Sequence, residues 1–235
     1  MNAVQERFSA AIAAENEKGF VAVIPDIKCI SPKEGDLLRG RSPAHTAKRL
    51  VAFGAPLLSV VTEQENFGGS AELLRNITHA VDVPVLRKDF IKSDDMLFES
   101  LELKADAVLL ICAIMDKKTL EALYEKSLSL GLEPFVEVCN ADEMKWANSL
   151  DARLVGINNR NILTLEKDSG NPVRTAELVI NAPDGALIVS ESGILSPEDA
   201  KLAASSGANA VLVGTALWQA DDMAAMYREL RGAKG

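Results

Sequence analysis

The sequence predicts an α/β chain folded as a (β/α)8 TIM barrel. Eight short apolar runs rich in Val, Ile and Leu recur along the 235 residues. Helix-type patterns opened by cap residues fall between them. From Phe20 to Ala210 the runs repeat at roughly 27 residues, a compact βα unit. The runs lack polar alternation, which fits parallel strands covered on both faces. The competing α/β layout, a doubly wound sheet, calls for a glycine-rich dinucleotide turn, and none is present. No linker or low-complexity stretch divides the chain. It reads as one domain, 1–235, with residues 1–19 as a short N-terminal helical extension.

That extension carries a helical pattern from Val4 to Ala14, placed to cover the barrel bottom or to pack beside the first strand. The expected strands are Phe20–Lys28, Leu57–Thr62, Pro84–Asp89, Ala107–Ala113, Pro134–Val138, Leu154–Asn159, Ala186–Ser192 and Ala210–Leu217. Ser42-Pro43 reads as a cap followed by proline at the first helical position, with Gly54 as the stop. Ser70, Ser93 and Asp116 open further helices. Asn171-Pro172 and Ser196-Pro197 repeat the cap–proline signal, and Asp221 and Asp222 open the last helix.

Composition narrows the function. There are 34 acidic and 25 basic residues, a net charge of −9. That field opposes nucleic-acid binding and a polybasic membrane-surface role. A site for an anion must therefore be local. With only His45 and His79, a multi-histidine metal site is excluded, and no metal is expected. Cys29, Cys112 and Cys139 are odd in number and widely spaced, which suggests reduced, buried thiols in a cytoplasmic protein. The N-terminus is too polar for a signal peptide, and no apolar run approaches a membrane span.

In such barrels the active site lies at the C-terminal ends of the strands. Here those ends carry Asp26 and Lys28, Glu63, Lys88, Glu137, Asn158 and Glu191. Alternation puts Asp26 and Lys28 on one face and Lys88 with Leu86 and Phe90, and turns Arg87 and Asp89 toward the helices. It also groups Glu137 with Phe135 and Cys139. Burying so many charges costs several kcal/mol per ion unless they pair or serve a ligand. Strand-end ion pairing unrelated to catalysis explains one pair; six polar strand ends favour a site. SESG (190–193) and VGTAL (213–217) set glycine beside small hydroxyl residues after strands 7 and 8, where barrels frequently bind phosphate. Ser31, on the loop after strand 1, adds a hydroxyl.

The stretches IPDIKCISPKEG (24–35), SVVTEQENFGGS (59–70), PVLRKDFI (84–91), PFVEV (134–138), GINNRN (156–161), VSESGI (189–194) and AVLVGTAL (210–217) occur together in this order. On them the chain resembles the indole-3-glycerol phosphate synthase family of tryptophan biosynthesis. The resemblance implies a lyase without cofactor. It closes the ring of 1-(2-carboxyphenylamino)-1-deoxyribulose 5-phosphate, with loss of carbon dioxide and water. It implies Lys88 as general acid at the substrate carbonyl, its proton affinity lowered by desolvation and nearby cations. Lys28 is then expected on the substrate carboxylate, Glu137 in proton transfer during dehydration, and Asn158 and Glu191 in the supporting network. Ser31, Ser192, Gly193, Gly214 and Thr215 are expected at the phosphate, and Phe67 and Phe90 against the aromatic ring, with loop or core packing as their alternative. Arg160 matches the family's arginine, with a structural ion pair as its alternative.

The chain departs from the pattern at Asp26, where the family usually has glutamate, and at Cys29, where it usually has arginine. It also lacks much of the family's N-terminal extension. These departures keep open a paralogous enzyme, such as an isomerase with a cysteine–aspartate pair, and a non-catalytic ligand-binding barrel. The expected partner is a phosphorylated small molecule, with no nucleic acid or membrane. A monomer is expected, with a weak dimer as the alternative.

Overall fold

A computed structural model describes residues 6–160 and 172–232. Eight parallel strands close into a barrel. The barrel strands are β1 (Ala22–Ile27), β2 (Leu58–Val61), β3 (Val85–Lys88), β4 (Ala107–Ile111), β5 (Glu133–Val138), β6 (Leu154–Asn158), β7 (Leu187–Glu191) and β8 (Ala210–Val213). Each pairs with its neighbours in sequence, and β1 closes the ring against both β2 and β8.

Strand alternation divides the apolar residues into an interior and an outer layer. Ala22, Ile24, Leu86, Ala107, Leu109, Ile111, Phe135, Leu154, Val189, Ala210 and Leu212 fill the barrel. Val23, Ile27, Val60 and Val211 on one side, and Val108, Leu110, Val136, Val155 and Ile157 on the other, face the surrounding helices.

The helices are α1 (Arg7–Glu17), α2 (Pro43–Ala52), α3 (Ala71–Thr78), α4 (Asp94–Glu102), α5 (Lys117–Leu130), α6 (Ala141–Ser149), α7 (Val173–Val179), α8 (Pro197–Ser205), α9 (Thr215–Gln219) and α10 (Met223–Leu230). Ser42, Ser70, Ser93, Asp116 and Asp222 cap as expected. Ser196 and Asp199 form a reciprocal capping box. The eightfold repeat calls for a helix at α6, but no start for it was marked in the sequence. Its signal is Asn140, whose side chain accepts from the amides of Asp142 and Glu143. Asn171 lies outside the described residues, and Pro172 stands directly before α7.

Two expected strands run on into helices. Strand β4 stops at Ile111 and the chain turns into a 3-10 helix over Cys112–Ile114; β8 stops at Val213 and α9 begins at Thr215. Apolar content alone does not mark where an extended backbone ends. A two-strand hairpin, Ile30–Ser31 with Gly35–Asp36, decorates the loop after β1.

The N-terminal helix covers the barrel bottom. Phe8 and Ile12 pack into the interior layer. The buried Glu133 carboxylate accepts from the amides of Phe8 and Ser9 at the start of α1. Arg231, after α10, pairs with Glu15 at 2.6 Å and lies over the Phe20 ring. This links the N-terminal helix to the end of α10. No described helix is long and apolar enough to cross a membrane.

Candidate active site

At the C-terminal ends of the strands, register places the polar residues side by side. Asp26 stands beside Ser59, Asn158 beside Glu191, and Glu137 beside Ile111 on one flank and Gly156 on the other. Each of these polar residues follows interior apolar residues two apart along its strand, so all point into the mouth.

Lys88 is the hub. Its Nζ lies 2.5 Å from Glu191 Oε2 and 3.8 Å from Glu137 Oε2. Asn158 donates to Glu137 Oε1 at 3.0 Å, and Asn158 Oδ1 accepts from the amide of Arg160. Glu137 Oε2 and Glu191 Oε1 are buried and accept no hydrogen bond from described residues. Such unsatisfied acceptors are uncommon and concentrate where chemistry occurs.

The electrostatics correct one expectation. Burial acts to lower the Lys88 proton affinity, but the Glu191, Glu137 and Asp26 carboxylates outweigh it and raise it. The expected depression needed cations close by; the structure surrounds the ammonium with acids. Burial first, and the Glu191 charge second, push Glu137 up to about 8 against the opposing pull of Lys88 and Asn158.

Asp26 is buried, and its Oδ1 accepts from Ser59 Oγ at 2.7 Å. Its backbone carbonyl accepts from the Trp218 indole at 2.9 Å, tying β1 to α9. Lys28 follows β1, with its Nζ 5.7 Å from the Phe67 ring centroid.

Two adjoining clefts open here. One has an apolar wall of Val61, Phe67, Phe90, Leu109 and Ile111. The other is walled by Gly193, Ile194, Leu195, Leu212, Gly214 and Thr215. Asp26, Lys28, Lys88, Arg160 and Ser192 line both. Glu137 and Asn158 line the first, while Glu191 lies beneath, fully buried. Ser31 borders a neighbouring cleft with Arg160 and Thr215, and its Oγ accepts from the amides of Lys33 and Glu34.

Sequence reasoning missed the supports. A Cβ on Gly156 would stand 2.6 Å from Phe135 and against Glu191 Oε1, so only glycine leaves room for that carboxylate. Ser192 has φ +65, an uncommon conformation for a non-glycine residue. Asn159 holds it there, donating to the Ser192 carbonyl and to Ser190 Oγ; Thr175 in turn donates to Asn159. Behind Lys88, the buried Arg87 binds Thr62, Asp89, Glu99, Ser100 and the Met96 carbonyl. The turn of Arg87 away from the mouth was legible in the alternation; Asp89, whose carboxylate accepts from Arg87 and Thr62, also lines the first cleft, and these partners were not legible.

The cysteines stand apart from the mouth, and only Cys112 is buried as expected, Cys29 and Cys139 being half-buried on loops that follow their strands. Cys139 does not share the face of Glu137, because the strand ends at Val138 and the chain turns toward α6, where Glu143 accepts from both the Cys139 amide and thiol. Burial and the Glu143 charge push this thiol up to about 11. Cys29 lines neither cleft, and burial followed by the Asp36 charge raises its thiol. The cysteine–aspartate pair that an isomerase needs is absent from the described mouth.

This fold and mouth define a class: a (β/α)8 barrel with a lysine and buried carboxylates gathered at the C-terminal ends of its strands. The family model described as indole-3-glycerol phosphate synthase matches residues 1–230. An indole-3-glycerol phosphate synthase of Kineococcus radiotolerans is 40% identical over 232 residues, covering 94% of this chain and 84% of that relative. One from a Nocardioides species is 42% identical, covering 91% and 81%. A multifunctional tryptophan biosynthesis protein of Schizosaccharomyces pombe is 41% identical over 89% of this chain, which spans 28% of that larger protein. The chain belongs to the indole-3-glycerol phosphate synthase family, a family of decarboxylating lyases of tryptophan biosynthesis.

Proposed function

We propose that the chain converts 1-(2-carboxyphenylamino)-1-deoxyribulose 5-phosphate to indole-3-glycerol phosphate, carbon dioxide and water, with the mouth residues in the following roles. The observation that carries the assignment is the pair of clefts, one apolar and one glycine-rich, sharing Asp26, Lys28, Lys88, Arg160 and Ser192 between them. A substrate with an aromatic ring at one end and a phosphate at the other spans the two and puts its carbonyl at the shared residues.

Phe67, Phe90, Val61, Leu109 and Ile111 hold the ring, and Lys28 holds its carboxylate. Backbone amides around Gly193 and Gly214, with Ser192 and Thr215, take the phosphate, and Ser31 and Arg160 close that side. As the ring carbon bearing the carboxylate attacks the ketone carbon, Lys88 gives its proton to the carbonyl oxygen. Carbon dioxide then leaves, and its bonding electrons restore the ring.

The high proton affinity of Lys88 supplies a protonated acid for the ketone, and the transfer is favoured only once negative charge builds on that oxygen. Glu137 then reprotonates Lys88 across the short gap between them and becomes a carboxylate. In the dehydration, Lys88 gives the new hydroxyl its proton, and Glu137 takes one from the adjacent methylene. Lys88 regains its proton from solvent after product leaves. Asn158 holds Glu137, and Glu191 holds Lys88, in place throughout.

The chain acts as one barrel unit, and its three free thiols suit a reducing, cytoplasmic setting. The test supplies the carboxyphenylamino-deoxyribulose phosphate and follows indole fluorescence. Product at a steady rate is expected; none at high enzyme concentration overturns the proposal.

A further inference from the structure

The carboxylate after β2 is engaged in a way the reaction does not explain. Glu63 is buried beside the apolar cleft, yet it turns into its own loop. Its Oε1 accepts from the amide of Glu65 at 3.2 Å and from Asn66 Nδ2 at 2.9 Å. Its Oε2 accepts from the amides of Asn66 at 2.8 Å and Phe67 at 3.0 Å. Four donors on two oxygens leave little capacity for a substrate proton. The loop closes on itself as well. The amide of Gly69 donates to the Glu63 carbonyl at 2.8 Å, and that of Gly68 to the Gln64 carbonyl at 3.1 Å. A Cβ on Gly69 would strike the β2 backbone at Val61 and Thr62, so the returning chain is pressed against the strand end.

The same loop sets two walls of the cleft. The Phe67 carbonyl accepts from the amide of Ile30 at 3.0 Å, joining it to the hairpin that follows Lys28. Gly68 has φ +65, and a Cβ there would lie 2.8 Å from Ile30. Moving the Glu63 carboxylate therefore moves Phe67, and with it the ring beneath the Lys28 ammonium.

We infer that Glu63 is a positioning residue: it folds the loop after β2 so that Phe67 and Lys28 together receive an aromatic carboxylate. The inference rests on the proposed function, because that reading supplies the aromatic carboxylate. Charge-assisted hydrogen bonds to backbone amides are among the stronger ones, and an amide in place of the carboxylate turns a donor toward donors.

The experiment is a double-mutant cycle of Glu63→Gln and Phe67→Ala, read as KM and kcat separately. Glu63→Gln is expected to raise KM by about tenfold or more while changing kcat far less. The double variant is expected to be no worse in KM than Phe67→Ala alone, because Glu63 acts through that ring. Additive KM effects, or a loss confined to kcat, overturn the inference. If Glu63→Gln does not fold, Glu63→Asp carries the same cycle with the same criteria. Wild-type turnover is measured first and tests the proposed function by itself. If it fails, the cycle is read on binding of 2-aminobenzoate by fluorescence. Wild-type binding that Glu63→Gln weakens, with no further loss in the double variant, sustains the inference; no wild-type binding, or an additive loss, overturns it.

Discussion

Gly156→Ala adds one methyl group to the barrel interior at the floor of the mouth. The new Cβ would stand 2.6 Å and 2.9 Å from two Phe135 ring carbons, and closer still to Glu191 Oε1. Ordinary carbon contacts lie at about 3.5–4.0 Å, so the neighbours must give by about 1 Å. Phe135 and Glu191 are both fully buried, so neither can retreat into solvent. The stability cost of such overpacking is about 1–3 kcal/mol. For a chain of this size that lowers Tm by roughly 2–12 °C. The larger effect falls on turnover. Glu191 holds Lys88 at 2.5 Å, and a displacement of about 1 Å at a catalytic group costs on the order of a hundredfold. Thermal unfolding and steady-state indole fluorescence measure the two effects separately. A folded variant with turnover within about threefold of wild type would refute the reasoning, since 1 Å of misplacement should cost far more.

Glu137 makes the pH dependence specific. Its folded value of about 8 stands above the unfolded value of about 4.3, so the folded state holds an extra proton between them. The stability contributed by that proton is fully present below about pH 4.3 and lost as pH rises through about 8. Tm should fall across this window, and Glu137→Gln should remove that part of the slope. Because the proposed relay starts from protonated Glu137, kcat/KM should also fall as pH rises through about 8; a rise there would exclude the relay. Asp26→Glu lengthens a side chain fitted to Ser59 at 2.7 Å, so turnover should drop by about tenfold or more. An increase would mean that the shorter acid is a handicap. Arg87→Met leaves Asp89 and Thr62 without their cation and should cost about 3 kcal/mol or more. An unchanged Tm would show that the network behind Lys88 carries no load.

The barrel was legible because its signals are local and repeated. Eight apolar runs and the capping residues Ser42, Ser70, Ser93, Asp116, Ser196 and Asp222 each act within a few residues of chain. The strand-end residues Asp26, Lys88, Glu137, Asn158 and Glu191 were legible too, because alternation and the barrel rule together say which positions meet.

What escaped depends on neighbours distant in sequence. Nothing near Gly156 announces that Glu191 needs its empty side, and nothing near Ser59 announces Asp26. The proton affinity of Lys88 was read in the wrong direction for the same reason. Its sign is set by the distances to Glu191 and Glu137, which lie on strands β7 and β5. The start of α6 went unmarked despite a plain cap at Asn140, because its hydrophobic face is short and interrupted by polar residues.

The central claim is that Lys88 delivers the proton that drives ring closure. The most direct measurement compares wild type with Lys88→Met in a single-turnover mixture with the carboxyphenylamino-deoxyribulose phosphate, following indole fluorescence and carbon dioxide release together. The account predicts that wild type yields both products and that the folded variant binds substrate and yields neither. Ring closure by Lys88→Met at close to the wild-type rate would contradict it.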